Sequence, residues 1–184
     1  VIAPKITIAR KSGAKAALAH LLKVTKYAAY VGIPATTRAD RSEQLLRLAG
    51  VKTGQKAKKL RKAAKEDVNN AELLFIFSKG SPIRGQEPRP VLEPAMAAQD
   101  NAAIISREIG GSIKAFADGD DAKGVLGMQR AALAGQNAAR KWFTDPRNNW
   151  KPNALSTIRA KGSDKPGIDT GAMRAAIQGI VGEE

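Results

Sequence analysis

Two long helical stretches fix the scale of anything this sequence can fold into. Over residues 95–117, Ile105, Ile109 and Ile113 recur at i, i+4 and i+8 with Phe116 nearby, while Arg107 and Lys114 fall elsewhere. That is one apolar stripe at helical period. Gly110-Gly111 weakens the middle of this helix by about 1 kcal/mol per glycine. Asp118-Gly119-Asp120-Asp121 breaks and recaps the chain, and a second helix runs to Phe143, ahead of Asp145-Pro146.

The remaining signals are shorter. Lys5-Ile6-Thr7-Ile8-Ala9 alternates and is β-branched, which predicts a strand. Residues 14–25 place Leu18, Leu21, Leu22 and Thr25 on one face of an amphipathic helix. Residues 27–33 have strand character and stop at Pro34, which lacks a donor. Asp40 with Glu43 three residues later is a capping box leading into Leu45, Leu46 and Leu48, closed by Gly50. Asn69-Asn70 caps residues 71–79, whose Leu73-Leu74-Phe75-Ile76-Phe77 run is a buried strand or a buried helical turn. Periodicity does not choose between the two.

Residues 80–94 carry Pro82, Pro88, Pro90 and Pro94 and read as an extended, turn-rich arm. Arg89 sits between two prolines that hold its backbone extended, and a stiff arm bearing a guanidinium fork suits docking on a neighbouring subunit. After the second helix come a loop at 147–152, a short helix at 156–161 and a turn at 162–167. A helical turn after Asp169 and a strand at 178–181 close the chain. The expected fold is α+β, in one domain over 1–184. A small, mainly antiparallel sheet from the N-terminal and C-terminal strands is covered by the long helices.

The core available to such a fold is thin. Ala supplies 33 of the 184 positions, whereas Leu, Ile, Val and Phe together supply 39. Ala favours helix but buries little area, so a chain of this kind is expected to gain stability from a partner or from its own copies. Copies repel one another, since the formal net charge is +14. No apolar run is long enough to span a membrane, and no positively charged start leads into an apolar stretch, so neither a membrane span nor a signal peptide is expected.

Enzymatic chemistry has little to work with. The absence of Cys removes disulfides, thiolate metal sites and Cys nucleophiles. His20 is the one histidine and lies on a basic amphipathic helix, so neither a His-based triad nor a catalytic zinc site is expected. Asp169-Thr170-Gly171-Ala172 matches the active-site string of aspartic proteases, but that chemistry needs a second carboxylate and flanking apolar strands. Here Met173-Arg174-Ala175-Ala176-Ile177 follows at helical spacing. Asp169, Thr170 and Gly171 therefore read as a helix cap and structural turn. No catalytic residue, metal or cofactor is expected.

Seven positive residues, Lys52, Lys56, Lys58, Lys59, Arg61, Lys62 and Lys65, crowd a stretch with no acid before Glu66 and with Leu60 as its large apolar residue. It reads as an exposed helix or arm, an insertion over about 50–67. It is either solvated or placed to neutralise phosphates without base stacking, because no aromatic residue interleaves it.

Three segments in order resemble a known family. The first runs from Asn70-Ala71-Glu72-Leu73 through Glu87-Pro88-Arg89-Pro90-Val91-Leu92-Glu93-Pro94-Ala95. The second runs from Ala138-Ala139-Arg140 through Trp150-Lys151-Pro152-Asn153-Ala154-Leu155-Ser156-Thr157 to Lys161-Gly162-Ser163. The third is Ile168-Asp169-Thr170-Gly171-Ala172-Met173 into Ile177. Together they are similar to the neck and tail-completion proteins of tailed bacteriophages, the virion morphogenesis or minor tail protein Z type. Val91 and Glu93 stand where that family usually has Phe and a basic residue.

The resemblance implies a structural virion protein of the head-to-tail junction, made in the host bacterial cytoplasm. It would act as a ring of identical copies between portal–connector proteins and the tail tube or terminator proteins. Arg89, Pro90, Leu92, Pro94, Trp150 and Pro152 become the expected assembly residues, with Trp150 and Pro152 pinning the tail loop onto the long helices. The alternative is a non-specific nucleic-acid-binding protein that uses residues 52–65, and contact with packaged DNA fits either reading.

Overall fold

Alanine and glycine decide how this chain packs. The computed structural model describes residues 13–34, 50, 53–55, 58, 69–169 and 171–183. Within them the order is α1 (Gly13–Val24), β1 (Tyr27–Gly32), α2 (Asn70–Lys79), α3 (Leu92–Ala97), α4 (Gln99–Ala117), α5 (Asp121–Trp142), α6 (Leu155–Lys161), α7 (Ala172–Ala176) and β2 (Gln178–Glu183). This is an α+β fold. The strand expected at 5–9 and the helix expected after Asp40, with Leu45, Leu46 and Leu48, lie outside the described residues.

Helix α5 is the axis. It starts at Asp120, whose side chain accepts from the Lys123 amide, and it buries Gly124, Gly127, Met128, Ala131, Ala132, Gly135, Ala138, Ala139 and Trp142 along one side. These small residues admit neighbours to the helix backbone. A Cβ on Gly124 would meet the Phe116 ring at 2.6 Å, one on Gly127 the Ser112 Cβ at 2.7 Å, and one on Gly135 the Val31 Cγ2 at 2.7 Å. The first two contacts come from α4 and the third from β1, so α5 holds one helix and the sheet through one stripe. Ser112 is fully buried and its hydroxyl donates to the Gly124 carbonyl at 2.6 Å, which satisfies both groups inside the seam.

The sheet has two antiparallel strands, with Tyr27 opposite Glu183, Ala29 opposite Val181 and Val31 opposite Gly179. Tyr27 stacks on Phe116 at 5.5 Å between ring centres. A two-stranded sheet is marginal alone. Here α5 supports it: the Gln136 side chain accepts from the Gly179 amide, and Arg140 donates to the Ile177 and Ala175 carbonyls.

A second core lies where α2, α3 and the end of α5 meet. Leu74, Phe77, Val91, Ala95, Ala139, Trp142, Phe143 and Ile177 are buried together there. The 73–77 run is helical, and its start explains why. Asn69 accepts from the Glu72 amide while the Glu72 carboxylate accepts from the Asn69 amide, a closed capping box.

Three expectations need correction. The first long helix is two helices, because Ala98 is extended (φ −58°, ψ 129°) and Asn101 donates to the Ala95 carbonyl across the break. Its isoleucine stripe is only partly covered, since Ser112, Ala115 and Phe116 take the buried positions and Ile113 is exposed. Finally, Leu18 and Leu22 of α1 face outward and are 60% and 59% exposed.

Candidate assembly surface

The proline-rich connection folds back on its own chain. Ser81 and Gln86 exchange backbone hydrogen bonds of 2.8 and 2.9 Å around a 3-10 turn at Pro82–Arg84. Gly80 makes this reversal feasible. Its φ is +75°, and a Cβ there would meet the Gln86 carbonyl oxygen at 2.6 Å and the Pro88 nitrogen at 2.8 Å. Residues 87–91 have no regular secondary structure, Val91 already has a helical backbone, and α3 begins at Leu92.

Arg89, expected on a projecting arm, is engaged within the chain. Its amide donates to the Phe77 carbonyl, its guanidinium donates to the Lys151 carbonyl at 3.1 Å, and its Cζ lies 5.9 Å from the Phe77 ring centre. Lys151 in turn pairs with Glu87. The physical reason is local: residues 87–91 run beside the end of α2, so the fork reaches an intramolecular carbonyl and an aromatic face before any neighbour. Arg89→Ala should loosen the 150–152 loop and cost about 1–2 kcal/mol, through one hydrogen bond and one cation–π contact. Urea denaturation checks this, and an unchanged midpoint would show that the contact carries nothing.

Leu92 and Pro94 sit in α3, half-buried, with Leu92 against the second core, while Pro90 and Pro152 are exposed. Trp150 was expected to pin the tail loop onto the long helices. It meets Phe77 and Phe143 edge-on, at 5.3 and 5.8 Å, and fastens the loop after α5 to α2. Gly171 occupies the N-cap of α7 at φ +80° and supplies no capping oxygen of its own, Asp169 is half-buried just before it, and Thr170 lies outside the described residues. Of the basic stretch, Lys58 is described and exposed, and Lys52, Lys56, Lys59, Arg61, Lys62 and Lys65 lie outside. His20 packs over Gly119 in the α4–α5 turn. Among the described residues no group of three or more His, Asp or Glu is placed to hold a metal.

An ionic clamp fixes the end of α5. Asp145 is buried, accepts from the Arg147 amide, and is held by the Arg147 guanidinium at 2.7 Å, while the other side of that fork grips Asp100 at 2.8 Å. Arg147 also lies over the Trp142 ring at 5.7 Å. The hydrogen-bonded guanidinium pulls the Asp145 carboxyl down to about 2, and it lowers Asp100 as well. A carboxylate depressed in the folded state contributes stability that is complete above its unfolded pKa of roughly 4, and that contribution is lost as pH falls towards 2. The urea midpoint should therefore drop across that window. Asp145→Asn should start lower and show a shallower drop, and an equal drop would place the acid sensitivity elsewhere.

What the sequence reading missed is the outward apolar surface. Among the described residues twelve large apolar side chains are exposed against eight buried. Eight of the twelve fall in four pairs. Leu18 and Leu22 are one turn apart on α1, Tyr30 and Ile180 face each other across the sheet, Leu126 and Leu133 lie one heptad apart on α5, and Phe75 and Ile76 adjoin on α2. Ile83, at the hairpin tip, is 99% exposed. A large aliphatic residue beside Pro82 in a turn-rich stretch was the available signal. No protein-family profile, curated protein or solved structure matches the chain. Among the described residues no helix is long and apolar enough to cross a membrane.

Proposed function

We propose that this chain is a structural assembly subunit of the head-to-tail junction of a tailed bacteriophage, joining the portal–connector side to the tail as a ring of identical copies. The observation that carries the reading is the exposed apolar surface: among the described residues more large apolar side chains face out than in, and eight of the twelve that face out fall in four pairs. A helical body clamped at Arg147 and Trp150 presents that surface rigidly, so association loses little conformational entropy. The three ordered sequence segments supply the link to virion necks.

Electron microscopy of the purified full chain, alone and mixed with tail-less particles, tests this. The expected outcome is a monomer or small oligomer alone, held apart by +14 per copy, and ring density at the portal in the mixture. Absence from the junction would overturn the reading. Non-specific nucleic-acid binding through residues 52–65 rests on the same +14. Neutralising Lys56, Lys58, Lys59, Arg61 and Lys62 would then flatten the salt dependence of DNA binding and leave the fold intact.

A further inference from the structure

Helix α4 is anchored over only part of its length. None of residues 99–111 is buried, whereas Ser112, Ala115 and Phe116 are buried within 112–117. The boundary between the two parts falls at Gly110-Gly111. Both glycines are exposed, and nothing stands within 4 Å of a Cβ added to either. We infer that residues 99–111 open as a unit at these glycines while the rest of α4 stays docked, a conformational device that is independent of the assembly reading.

Different forces hold the two parts. After the glycines, the Ser112 hydroxyl donates to the Gly124 carbonyl at 2.6 Å, the Phe116 ring fills the place of a Gly124 side chain, and Tyr27 stacks on that ring. Opening there would expose an aromatic ring and break a hydrogen bond made in a closed seam. Before the glycines, the holds are polar and lie at the surface. Asn101 donates to the Ala95 carbonyl at 2.8 Å, Asp100 pairs with Arg147 at 2.8 Å, and Glu108 pairs with Arg130 at 3.1 Å. Three of the four charged side chains in those pairs are about half-exposed, and ion pairs of that kind hold weakly and are screened by salt. Ile105 and Ile109 are only half-buried, and two adjacent glycines lower the helix preference where the parts meet. Both ends of the leading part stay fixed, since Val91 and Ala95 ahead of it are fully buried. The motion is therefore a local loss of helix between two anchors. It exposes Ile105 and Ile109 and leaves α5, the sheet and the second core intact.

Amide hydrogen exchange of the full-length chain, followed residue by residue by NMR, tests this. After correction for intrinsic rates, the Ile104–Ile109 amides should exchange roughly tenfold or more faster than those of Ala115–Asp118. Raising NaCl from about 0.05 to 0.5 M should speed the first group and not the second. Salt relieves the self-repulsion of the +14 chain everywhere else, so a faster rate confined to 104–109 identifies the surface ion pairs. Gly110→Ala with Gly111→Ala should slow the first group by about 5- to 30-fold and leave the second unchanged. Asp100→Asn with Glu108→Gln should speed the first group and remove its salt dependence, with the Asp145–Arg147 pair left in place.

Exchange of both groups at one rate, with one shared urea dependence, would overturn the inference, because α4 would then open only as a whole. A double-alanine variant whose 104–109 amides exchange as fast as the wild type would also overturn it, and so would equal slowing at 115–118, since the glycines would not be the point of opening. Circular dichroism checks that each variant is folded. Should the Asp100→Asn with Glu108→Gln chain fail to fold, the salt series on the wild type reads the same ion pairs, and a salt-independent rate at 104–109 would remove them from the account.

Discussion

Gly179→Ala is expected to pry the β1–β2 sheet from α5 and destabilise the protein by about 2–4 kcal/mol. A Cβ on Gly179 would stand inside contact distance of the Ala132 carbonyl oxygen and carbon, and both partners are backbone, so no side chain can rotate away. Relief requires the strand to lift, and lifting breaks the hydrogen bond between the Gly179 amide and Gln136. The control has the opposite sign. Gly110 and Gly111 lie exposed in α4 with nothing within 4 Å of an added Cβ, so Ala at either should stabilise by about 0.5–1 kcal/mol. Urea midpoints of the three variants decide the matter. Equal effects at Gly179 and Gly111 would remove close backbone approach from the account of the core.

The second large effect lies at the other end of α5. Phe143 is 1% exposed, stacks near Phe77 at 6.0 Å and receives the edge of Trp150, so it joins α2, α5 and the following loop. Phe143→Ala removes that junction and should cost about 3–5 kcal/mol, the usual range for emptying a buried aromatic site. Phe143→Leu keeps most of the volume and should cost less. Because Trp150 would lose one of its two aromatic partners, its fluorescence should report a more solvated ring in Phe143→Ala below the unfolding transition. Unchanged emission would mean that Phe77 alone holds the loop.

The proline-rich segment shows how far a residue-by-residue reading carries. That Pro88 and Pro90 keep Arg89 extended is an expectation from the pyrrolidine ring. Where the extended piece goes does not follow, since the direction of a strap is set by what it lies against. Here that is the end of α2 and Lys151, where Arg89 makes its contacts within the chain. Ile83 faces out, and so do Phe75 and Ile76 of the run expected to be buried, because an apolar residue in a loop or in a dense apolar run carries no periodicity to mark its side.

By itself the sequence determined several of the described elements and some of their ends. The break at Asp118-Gly119 and the Asn69–Glu72 box are encoded in capping and turn chemistry that acts over three or four residues. So are the stop after Gly32 before Pro34 and the strand at the C-terminal end. Only the tertiary structure decided which faces are buried. The stripe Gly124, Gly127, Ala131, Gly135 and Ala138 was present in the sequence. An alanine or glycine on a helix gains little from burial unless a neighbouring backbone or ring comes close enough to use the missing side chain. Phe116, Ser112 and Val31 do so from α4 and β1, far along the chain or across the turn. Large apolar residues on the opposite faces were thereby left at the surface.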